Sequence, residues 1–431
     1  MKEIETLLKQ SDYVITDIDY KNEKIIKFKE TKEFLNWIMQ NKDKKITFYT
    51  KENTEIKKQE IMYEFIKYYF KIKIKCEEKM NDYNEIFPKG YSNKFLTEAL
   101  NQFTTSNQGG KFLRATLIAM GYNIKNKDDN YLPLASALEI FQTSILIHDD
   151  IIDKADKRRG LDTIPIKYQK IYESPIKEGK SFKEKRKQIS DSMALCLGDL
   201  GFYLALQIIT KNYQNNENLA KVLNYYNSVA IKTCEGEMID VILPFYEEFY
   251  GNENLEESVM EIYKLKTAWY SVVGPYCMGA LLGGLEEENI EKLEETLINL
   301  GIAFQIKDDL LGIYGDEKHI GKSTTSDVSE FKQTILYSHI INTEYKDELL
   351  KYYGNENLTV EDMEKVKELF EKSGSKKYAT DYMNKLFKES QNAILNLDFL
   401  DIQNKKLLLG FATFLQVRSK WKNYYHYYVY C

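Results

Sequence analysis

Carboxylate and guanidinium side chains stand close together at the end of an apolar run. The stretch "LIHDDIIDKADKRRG", residues 146–160, carries aspartates at Asp149 and Asp153 and then Arg158 and Arg159. Four residues separate the two aspartates, so a helix presents both carboxylates on one face. Like charges repel at that spacing unless a cation lies between them, and hard divalent ions take oxygen ligands. The stretch fits either a solvated acidic helix end beside a basic loop or a joint site for a metal ion and a phosphate.

A second pair of carboxylates, Asp308 and Asp309, closes another apolar run, "LGIAFQIKDDLLGIYGD". Cations occur in four short stretches: "GGKFLRA" (Lys111, Arg114), "KADKRRG" (Arg158, Arg159), "KLKTA" (Lys266) and "HIGKSTTSD" (Lys322). Taken singly, each cation is typical of a solvated surface. Together, acids on two helices and bases at four other places suit a site for two diphosphates bridged by magnesium.

Composition narrows the class of protein. The chain has 431 residues, enough for one large helical domain or two ordinary ones. Its net charge of −6 argues against general binding to a nucleic-acid backbone. The five cysteines lack the close spacing of zinc or redox pairs, which favours reduced thiols. There is no apolar signal core and no uncharged run near the roughly 20 residues that span a bilayer. We predict a soluble, cytoplasmic protein without a transmembrane segment.

The apolar pattern predicts an all-α fold. Only six prolines occur, and apolar residues recur at helical spacing in long stretches such as "SMALCLGDLGFYLALQIITKNY". Several stretches are apolar nearly all round, which is typical of buried helices, so we predict one large bundle of about ten or more helices over residues 56–431. Residues 170–192 are polar and predict an exposed insertion between two core helices. Residues 1–55 are lysine-rich and partly strand-like, and we predict an accessory segment of unknown role outside the bundle. Near the C-terminus, "NLTVEDME" supplies a capping pattern for a helix–turn–helix.

The sequence resembles the trans-isoprenyl diphosphate synthases, a family that includes farnesyl, geranylgeranyl and longer polyprenyl diphosphate synthases. The matching motifs follow the family order: "GGKFLR", "DDIID" with "RRG", "GD" at 198–199, "GEMID" at 236–240, "KTA" at 266–268, "FQIKDDLLGIYGD" at 304–316, "GK" at 321–322 and "FKQT" at 331–334. The resemblance covers roughly residues 60 to 420. It implies the helical isoprenoid synthase fold and magnesium-dependent head-to-tail (1'-4) condensation of isopentenyl diphosphate with an allylic diphosphate. It also implies a homodimer.

Four positions depart from the family pattern. Phe112 stands where many members carry arginine, and Ala115 where proline is common. Gln142 occupies a place held by histidine in many long-chain enzymes and by glutamine in many farnesyl enzymes. Gly312 replaces the last aspartate of the second acidic motif, as in one bacterial branch. The remaining motif residues still form a complete minimal set.

The resemblance assigns roles to these residues. An allylic diphosphate (dimethylallyl, geranyl or farnesyl) would bind through Mg²⁺, three ions per active site, and isopentenyl diphosphate would bind beside it. The metal ligands would be Asp149, Asp153, Asp308 and Asp309, with Asp150 in the same catalytic group. Cations around the allylic diphosphate would be Arg158, Lys266, Lys322 and Lys332. The acceptor diphosphate would contact Lys111, Arg114, Gln142 and Arg159. Thr267 and Gln305 would direct oxygen dipoles toward the developing positive carbon.

No nucleophile–base motif is recognisable, and ionisation driven by metal and phosphate needs none. His148 adjoins Asp149 and could serve as a base. We expect instead that it supports packing or orients the carboxylate. The diphosphate that is released would then remove the proton.

Product length should depend on residues below the first acidic motif. Ser144 and Ile145 lie roughly 6 to 8 Å down the helix from Asp149, at about 1.5 Å per residue. In the family, a bulky aromatic residue at either position stops the growing tail. Ser144 is small and Ile145 is not aromatic, so we predict an open floor there, with Phe141 about 12 Å down as a later floor. This favours a product of twenty carbons or longer.

Two alternatives stay open. A related enzyme would ionise an allylic diphosphate but cyclise it or pass it to another acceptor; such relatives tend to weaken the acceptor site, whereas Lys111, Arg114 and Arg159 remain here. An inactive regulatory subunit of a prenyl synthase would tend to lose the aspartates, and all five are present.

Overall fold

The computed structural model describes residues 14–19, 22–26, 46–49, 53–87, 89, 92–173, 180–245, 248, 254–315, 325–355 and 357–417. The helices are α1 (Asn53–Ile86), α2 (Lys94–Ser106), α3 (Leu113–Tyr122), α4 (Leu132–Ile152), α5 (Ile164–Glu173), α6 (Lys180–Asn212), α7 (Leu219–Ile242), α8 (Leu255–Ile262), α9 (Gly274–Leu282), α10 (Glu287–Tyr314), α11 (Ser326–Ser329), α12 (Ile335–Ile340), α13 (Lys346–Leu349), α14 (Val360–Lys372), α15 (Ser375–Leu395) and α16 (Ile402–Val417). They pack around one apolar core, which confirms the predicted all-α bundle.

Two small sheets accompany the bundle. β1 (Val14–Asp19), β2 (Asn22–Ile26) and β3 (Ile46–Tyr49) form an antiparallel sheet in the order β2–β1–β3. These strands lie within the stretches that we predicted to be partly strand-like. β4 (Lys157–Arg158) and β5 (Leu161–Asp162) form a short hairpin directly after α4.

Helices α3 and α9 cross closely, and glycine residues permit their backbones to approach each other. A Cβ on Gly121 would lie 2.0 Å from the carbonyl oxygen of Tyr276, and one on Gly279 would lie 2.0 Å from that of Ile118. No side chain fits at that separation, so both positions require glycine. The close contact fixes α3, whose first turn carries Arg114.

The polar stretch 170–192 is helical where the structure describes it. α5 ends at Glu173 and α6 begins at Lys180, and residues 184–192 of α6 are mostly exposed. The predicted insertion thus extends a core helix outward. Residues 174–179 lie outside the described residues.

One helix of the described residues, the part of α6 from Glu184 to Asn212, is long and apolar enough to cross a membrane by length and composition. Of its most apolar window, 39% is buried in the bundle. Core helices of soluble bundles also meet that criterion, because they are apolar on most faces. Among the four cysteines that the structure describes, Cys76 and Cys277 are buried, Cys196 and Cys234 are exposed, and none forms a disulfide.

A π-helical segment, Tyr263–Val273, joins α8 to α9 in one continuous rod. A π-helix adds a residue to each turn, so it changes which side chains face a neighbouring helix, and such segments are frequent at functional sites. Lys266 and Thr267 both stand in this segment.

The C-terminal helix–turn–helix follows the predicted capping pattern. Thr359 caps α14 by accepting the Asp362 N–H, and the Asp362 side chain accepts the Thr359 N–H in return. Gly374, at a φ of 77°, makes the turn into α15.

Candidate active site

The end of α4 presents the first group of carboxylates. The helix ends at Ile152, and the N–H of Asp153 donates to the carbonyl of Asp149 at 2.8 Å. Asp149 and Asp153 lie one turn apart at the rim of the bundle. Asp150 points inward and is buried. The accessible carboxylates of this motif are therefore Asp149 and Asp153.

The β4–β5 hairpin returns a guanidinium group to these carboxylates. Arg159 and Gly160 form its turn with φ of 55° and 81°, the left-handed values that a tight hairpin needs. Nη2 of Arg158 lies 2.6 Å from Oδ2 of Asp149, and its Nε lies 2.5 Å from Oδ1 of Asp150. Burial raises the pKa of Asp150 to about 6, although Arg158 opposes the rise.

Lys266 is surrounded by carboxylates from two helices. Its Nζ lies 2.6 Å from Asp240 and 2.7 Å from Glu237 on α7, and 4.0 Å from Oδ1 of Asp149. Gly236 permits this approach, because a Cβ there would lie 2.5 Å from the Lys266 backbone nitrogen. Burial by itself lowers the pKa of Lys266, but Asp240 and Glu237 outweigh it and raise the pKa to about 12. The lysine is therefore charged, and it links α7 to the first acidic motif.

The paired carboxylates of α10 have different surroundings. Asp309 is 3% exposed, and it accepts a hydrogen bond from the Tyr263 hydroxyl on Oδ2 and from Gln305 Nε2 on Oδ1, the latter at 2.8 Å. Burial raises the pKa of Asp309 to about 7. Asp308 is half-buried, so it is the more accessible carboxylate of the pair.

Thr267 and Gln305, which were predicted to act together, are in direct contact. Thr267 Oγ1 donates to Gln305 Oε1 at 2.7 Å. This bond connects the π-helical segment to α10 beside Lys266.

Lys332 is coupled electrostatically to carboxylates of both acidic motifs. It is half-buried in the short segment between α11 and α12. Burial by itself disfavours its charge, but the carboxylates of Asp327, Asp240, Asp309 and Asp153 outweigh it and hold the pKa of Lys332 above its usual range. Asp153 follows α4 and Asp309 belongs to α10, so Lys332 lies in the electrostatic field of both acidic motifs. Lys322, predicted for the same group, lies outside the described residues.

Two of the predicted acceptor-site cations, Lys111 and Arg159, are exposed. Nη1 of Arg159 donates to the carbonyl of Gln108 at 2.9 Å, and the Tyr69 hydroxyl donates to the carbonyl of Lys111 at 2.5 Å. The hairpin and the glycine-containing loop before α3 thus meet at one place.

Arg114 turns into the bundle instead. Its Nη2 donates to Ser271 Oγ at 2.6 Å, and its guanidinium carbon lies 4.1 Å from the ring centre of Tyr270. Beneath it, Glu139 is 6% exposed and accepts the N–H of Ala115 at 3.1 Å. Burial raises the pKa of Glu139, and Arg114 opposes the rise.

Sequence reasoning missed Glu139. Arg159 also lowers its pKa, so this carboxylate lies in the field of both arginines. Gln142, three residues further along α4, is half-buried on the same helix. The signal available in the sequence was one acid inside the apolar run "ASALEIFQ". Glu237 and Asp240 were marked by "GEMID", yet no role was assigned to them.

One face of α4 packs directly against α6. A Cβ on Gly201 would lie 2.0 Å from Oγ of the fully buried Ser144. A Cβ on Gly198 would lie 2.2 Å from Nε2 of His148. The small size of Ser144 therefore lets α6 approach, and this placement does not support the prediction of an open floor there. The packing of His148 agrees with the supporting role that we expected.

The neighbouring face of α4 carries Phe141, Ile145 and Asp149 at four-residue intervals, so these side chains lie above one another. The ring of Phe141 meets aromatic rings from three other elements: Phe202 at 5.0 Å, Tyr226 at 5.2 Å and Tyr270 at 5.8 Å between centroids. This aromatic cluster closes the bundle two turns below Asp149.

Comparison with known proteins identifies the family of this chain. Residues 93–371 match the polyprenyl synthetase family model. A short chain isoprenyl diphosphate synthase of Methanocaldococcus jannaschii is 31% identical over 270 residues, which cover 62% of this chain and 73% of the relative. A geranylgeranyl diphosphate synthase of Saccharolobus solfataricus is 30% identical over 358 residues, which cover 80% and 97%.

Solved structures share the fold. The geranylgeranyl pyrophosphate synthetase of Pyrococcus horikoshii superposes with a TM-score of 0.65 at 26% identity, covering 82% of this chain and 98% of that one. The geranylgeranyl pyrophosphate synthase of Corynebacterium glutamicum, complexed with isoprenyl diphosphate and magnesium, gives 0.68 at 21% identity, covering 84% and 98%. The chain therefore belongs to the polyprenyl synthetase family, the trans-isoprenyl diphosphate synthases, and is a prenyltransferase.

Proposed function

We propose that this protein condenses isopentenyl diphosphate head to tail with an allylic diphosphate to give an all-trans polyprenyl diphosphate, geranylgeranyl or longer. The observation that carries the proposal is the contact chain between the two acidic motifs. Lys266 lies 4.0 Å from Asp149 of the first motif, and its neighbour Thr267 donates to Gln305, which donates to Asp309 of the second. Two acidic motifs around half-buried cations suit a diphosphate bridged by metal ions.

The donor set fits magnesium. Within the described parts of the chain, no three acidic, histidine or cysteine side chains lie close enough together to hold a metal ion unaided. Magnesium characteristically binds one or two carboxylates and fills its shell with water and phosphate oxygens. We propose Asp149, Asp153 and Asp308 as the carboxylates that would hold up to three ions, since both oxygens of Asp309 already accept protein hydrogen bonds. The metal would supply Lewis-acid stabilisation of the departing diphosphate.

The protein cations would complete the allylic site. Arg158 and Lys266 lie against Asp149, and we propose that they turn to the diphosphate oxygens when the substrate binds. We propose the same role for Lys332, and for Lys322 on its sequence motif alone. Their positive charges stabilise the negative charge that develops as the carbon–oxygen bond breaks.

The acceptor diphosphate would bind where the glycine-containing loop meets the hairpin. Lys111 and Arg159 are exposed there, with Arg114 and Gln142 deeper on the bundle side. The double bond of isopentenyl diphosphate would then attack the allylic cation. The released diphosphate would take the proton that the condensed product loses. The apolar walls of the bundle keep water from that cation.

For product length, we propose the aromatic cluster around Phe141 as the floor. Ile145 stands above it on the same face of α4 and is not aromatic, so the growing tail can pass that level. A twenty-carbon or longer product is the result that this geometry favours.

The test is to incubate the purified protein with magnesium, isopentenyl diphosphate and each allylic starter, then to determine product masses. Products of twenty carbons or more support the proposal in full, and a fifteen-carbon end point contradicts the floor. Diphosphate release without consumption of isopentenyl diphosphate would favour cyclisation or another acceptor. No turnover by folded protein with any starter would favour a regulatory subunit.

We also propose a soluble, cytoplasmic homodimer. On α7 and the turn after it, Ile231, Cys234, Met238, Val241 and Phe245 recur at helical spacing and are exposed. Leu195 and Tyr203 on α6 are exposed as well. Monomers seldom expose such a continuous apolar stripe, which suits self-association of two copies.

Light scattering on the eluting protein tests the dimer. Met238, 71% exposed, becomes charged in M238D, and we expect the mass to fall from two chains to one. I402D is the matched control, because Ile402 is 76% exposed on α16 and away from the stripe. A monomeric wild type, or a dimeric M238D, would contradict the proposal.

A further inference from the structure

We propose that Tyr263 is a positioning residue of the active site, which acts through Asp309 to fix the orientation of the Gln305 amide and the Thr267 hydroxyl. The inference rests on the proposed function, because it concerns groups that would face the allylic cation. Tyr263 belongs to none of the motifs that define the site.

Four hydrogen bonds join these residues in one continuous chain. The backbone N–H of Ile335 donates to the Tyr263 oxygen at 2.9 Å, and the Tyr263 hydroxyl donates to Asp309 Oδ2. Gln305 Nε2 donates to Asp309 Oδ1 at 2.8 Å. Thr267 Oγ1 donates to Gln305 Oε1 at 2.7 Å. Tyr263 and Asp309 are buried, at 4% and 3% exposure, so solvent cannot replace their partners.

The chemistry of the groups sets the direction of every bond. A backbone N–H can only donate, so it occupies the oxygen of Tyr263 and leaves the phenol proton for Asp309. The phenol proton is then directed at Oδ2 of Asp309, as the structure shows. Oδ2 of Asp309 already accepts from Tyr263, so Oδ1 accepts from the nitrogen of Gln305, and this turns the amide oxygen toward Thr267.

This order determines what Thr267 offers to a substrate. Its single hydroxyl proton is used by the Gln305 oxygen, so its oxygen lone pairs are the groups left over. A hydroxyl held in that way presents the negative end of its dipole, which stabilises a positive carbon. Oriented dipoles contribute most when the protein fixes them before the reaction, since they then need no reorganisation.

Without Tyr263, Asp309 would keep a single donor and Gln305 could rotate. An alternative is that Tyr263 serves only to anchor the segment that begins α12, through the Ile335 N–H. That role would affect stability but would not require Thr267. The two roles therefore separate in a double-mutant cycle.

The experiment measures kcat, both KM values and melting temperature for Y263F, alone and with T267V. We expect Y263F to lower kcat about tenfold, the effect of one lost buried hydrogen bond, with KM values within about twofold. In the T267V background, Y263F should change kcat by less than about twofold. Ionisation of the allylic diphosphate without acceptor, followed by diphosphate release, should fall by the same factor as condensation.

The control is Y168F, which removes another buried tyrosine hydroxyl, one without a hydrogen-bond partner among the described residues. It should leave kcat unchanged. An equal loss of kcat from Y263F in both backgrounds, or no loss at all, would overturn the inference.

Should Y263F not fold, D309N tests the same link from the other side. The side-chain amide that D309N introduces can donate to the oxygen of Gln305. The Gln305 amide would then turn over and no longer accept from Thr267, so kcat should fall about tenfold or more. A value within about twofold of wild type would overturn the inference. A wild type that makes no product would instead overturn the proposed function and not the role of this hydrogen-bond chain.

Discussion

Oδ2 of Asp149 lies 2.6 Å from Nη2 of Arg158. The first aspartate of the site is therefore already neutralised by a protein cation. A metal ion at Asp149 must compete with that guanidinium, and a diphosphate that accompanies the metal offers Arg158 a new partner. Metal and diphosphate binding should therefore depend on each other.

The carboxylates should govern both rate and metal dependence. We expect D149N and D308N each to lower kcat at least about 100-fold and to raise the magnesium concentration for half-maximal rate. The measurement is initial rate against magnesium concentration at saturating substrates.

E235Q is the control for these variants, because Glu235 is an exposed carboxylate on α7. It should behave as wild type. If D149N and D308N keep their rates at every magnesium concentration, the metal roles proposed here are wrong.

The contact between His148 and Gly198 predicts a rescue of stability. A Cβ on Gly198 would meet three atoms of the His148 ring, the nearest at 2.2 Å. G198A should lower the free energy of unfolding by about 1–3 kcal/mol, whereas in an H148A background it should lower it by less than about 1 kcal/mol. Urea unfolding of the four proteins gives both values. Equal losses in the two backgrounds would show that the clash lies elsewhere.

Neighbouring positions on α4 should respond differently to an aromatic residue. Ile145 shares the face of Asp149 and Phe141, so I145F should shorten the product and change stability by about 1 kcal/mol or less. Ser144 packs on Gly201, so S144F should destabilise the fold by about 3 kcal/mol or prevent folding. Product masses and melting curves distinguish these outcomes. A stable S144F that makes shorter products would place Ser144 on the tunnel after all.

Much of this architecture follows from sequence. Apolar residues at helical spacing identified α4, α6 and α10, and the capping pattern identified the start of α14. Thr267 and Gln305, to which the family motifs assign a shared role, are in contact. Such features depend on residues close together in the sequence or on an arrangement common to the family. A single sequence is therefore enough to predict them.

Other features depended on how helices face each other. Ser144 and Ile145 are adjacent in sequence, but Ser144 contacts α6 whereas Ile145 lies on the face of α4 that carries Asp149. Only the packing of the helices determines this difference. Arg114 was grouped with Lys111, yet it turns inward to Tyr270. Tyr263 lies 46 residues from Asp309 along the chain, and a lone tyrosine in a helix carries no signal of that bond.

The raised pKa of Asp150 predicts how stability changes with pH. The folded state keeps the proton to about pH 6, whereas an unfolded aspartate releases it near pH 4. A carboxyl with a raised pKa stabilises the fold below its unfolded pKa, and that contribution is lost as the pH rises toward the folded value. Between about pH 4 and about pH 6, the unfolding free energy of wild type should fall by about 2 kcal/mol relative to D150N.

Urea unfolding without magnesium across this range is the measurement. D381N, a change at an exposed carboxylate, should run parallel to wild type. Parallel curves for wild type and D150N would contradict the assignment.

The central claim is that the aspartates at the end of α4 and the aspartates of α10 hold one metal-bridged diphosphate between them. Calorimetric titration with an unreactive allylic thiolodiphosphate, with and without magnesium, tests it directly in wild type, D149N, D308N and the double variant. We predict binding that requires magnesium, a large loss in each single variant and little further loss in the double variant, because the two carboxylates serve one ligand. Binding that is indifferent to magnesium, or losses that simply add, would contradict the claim.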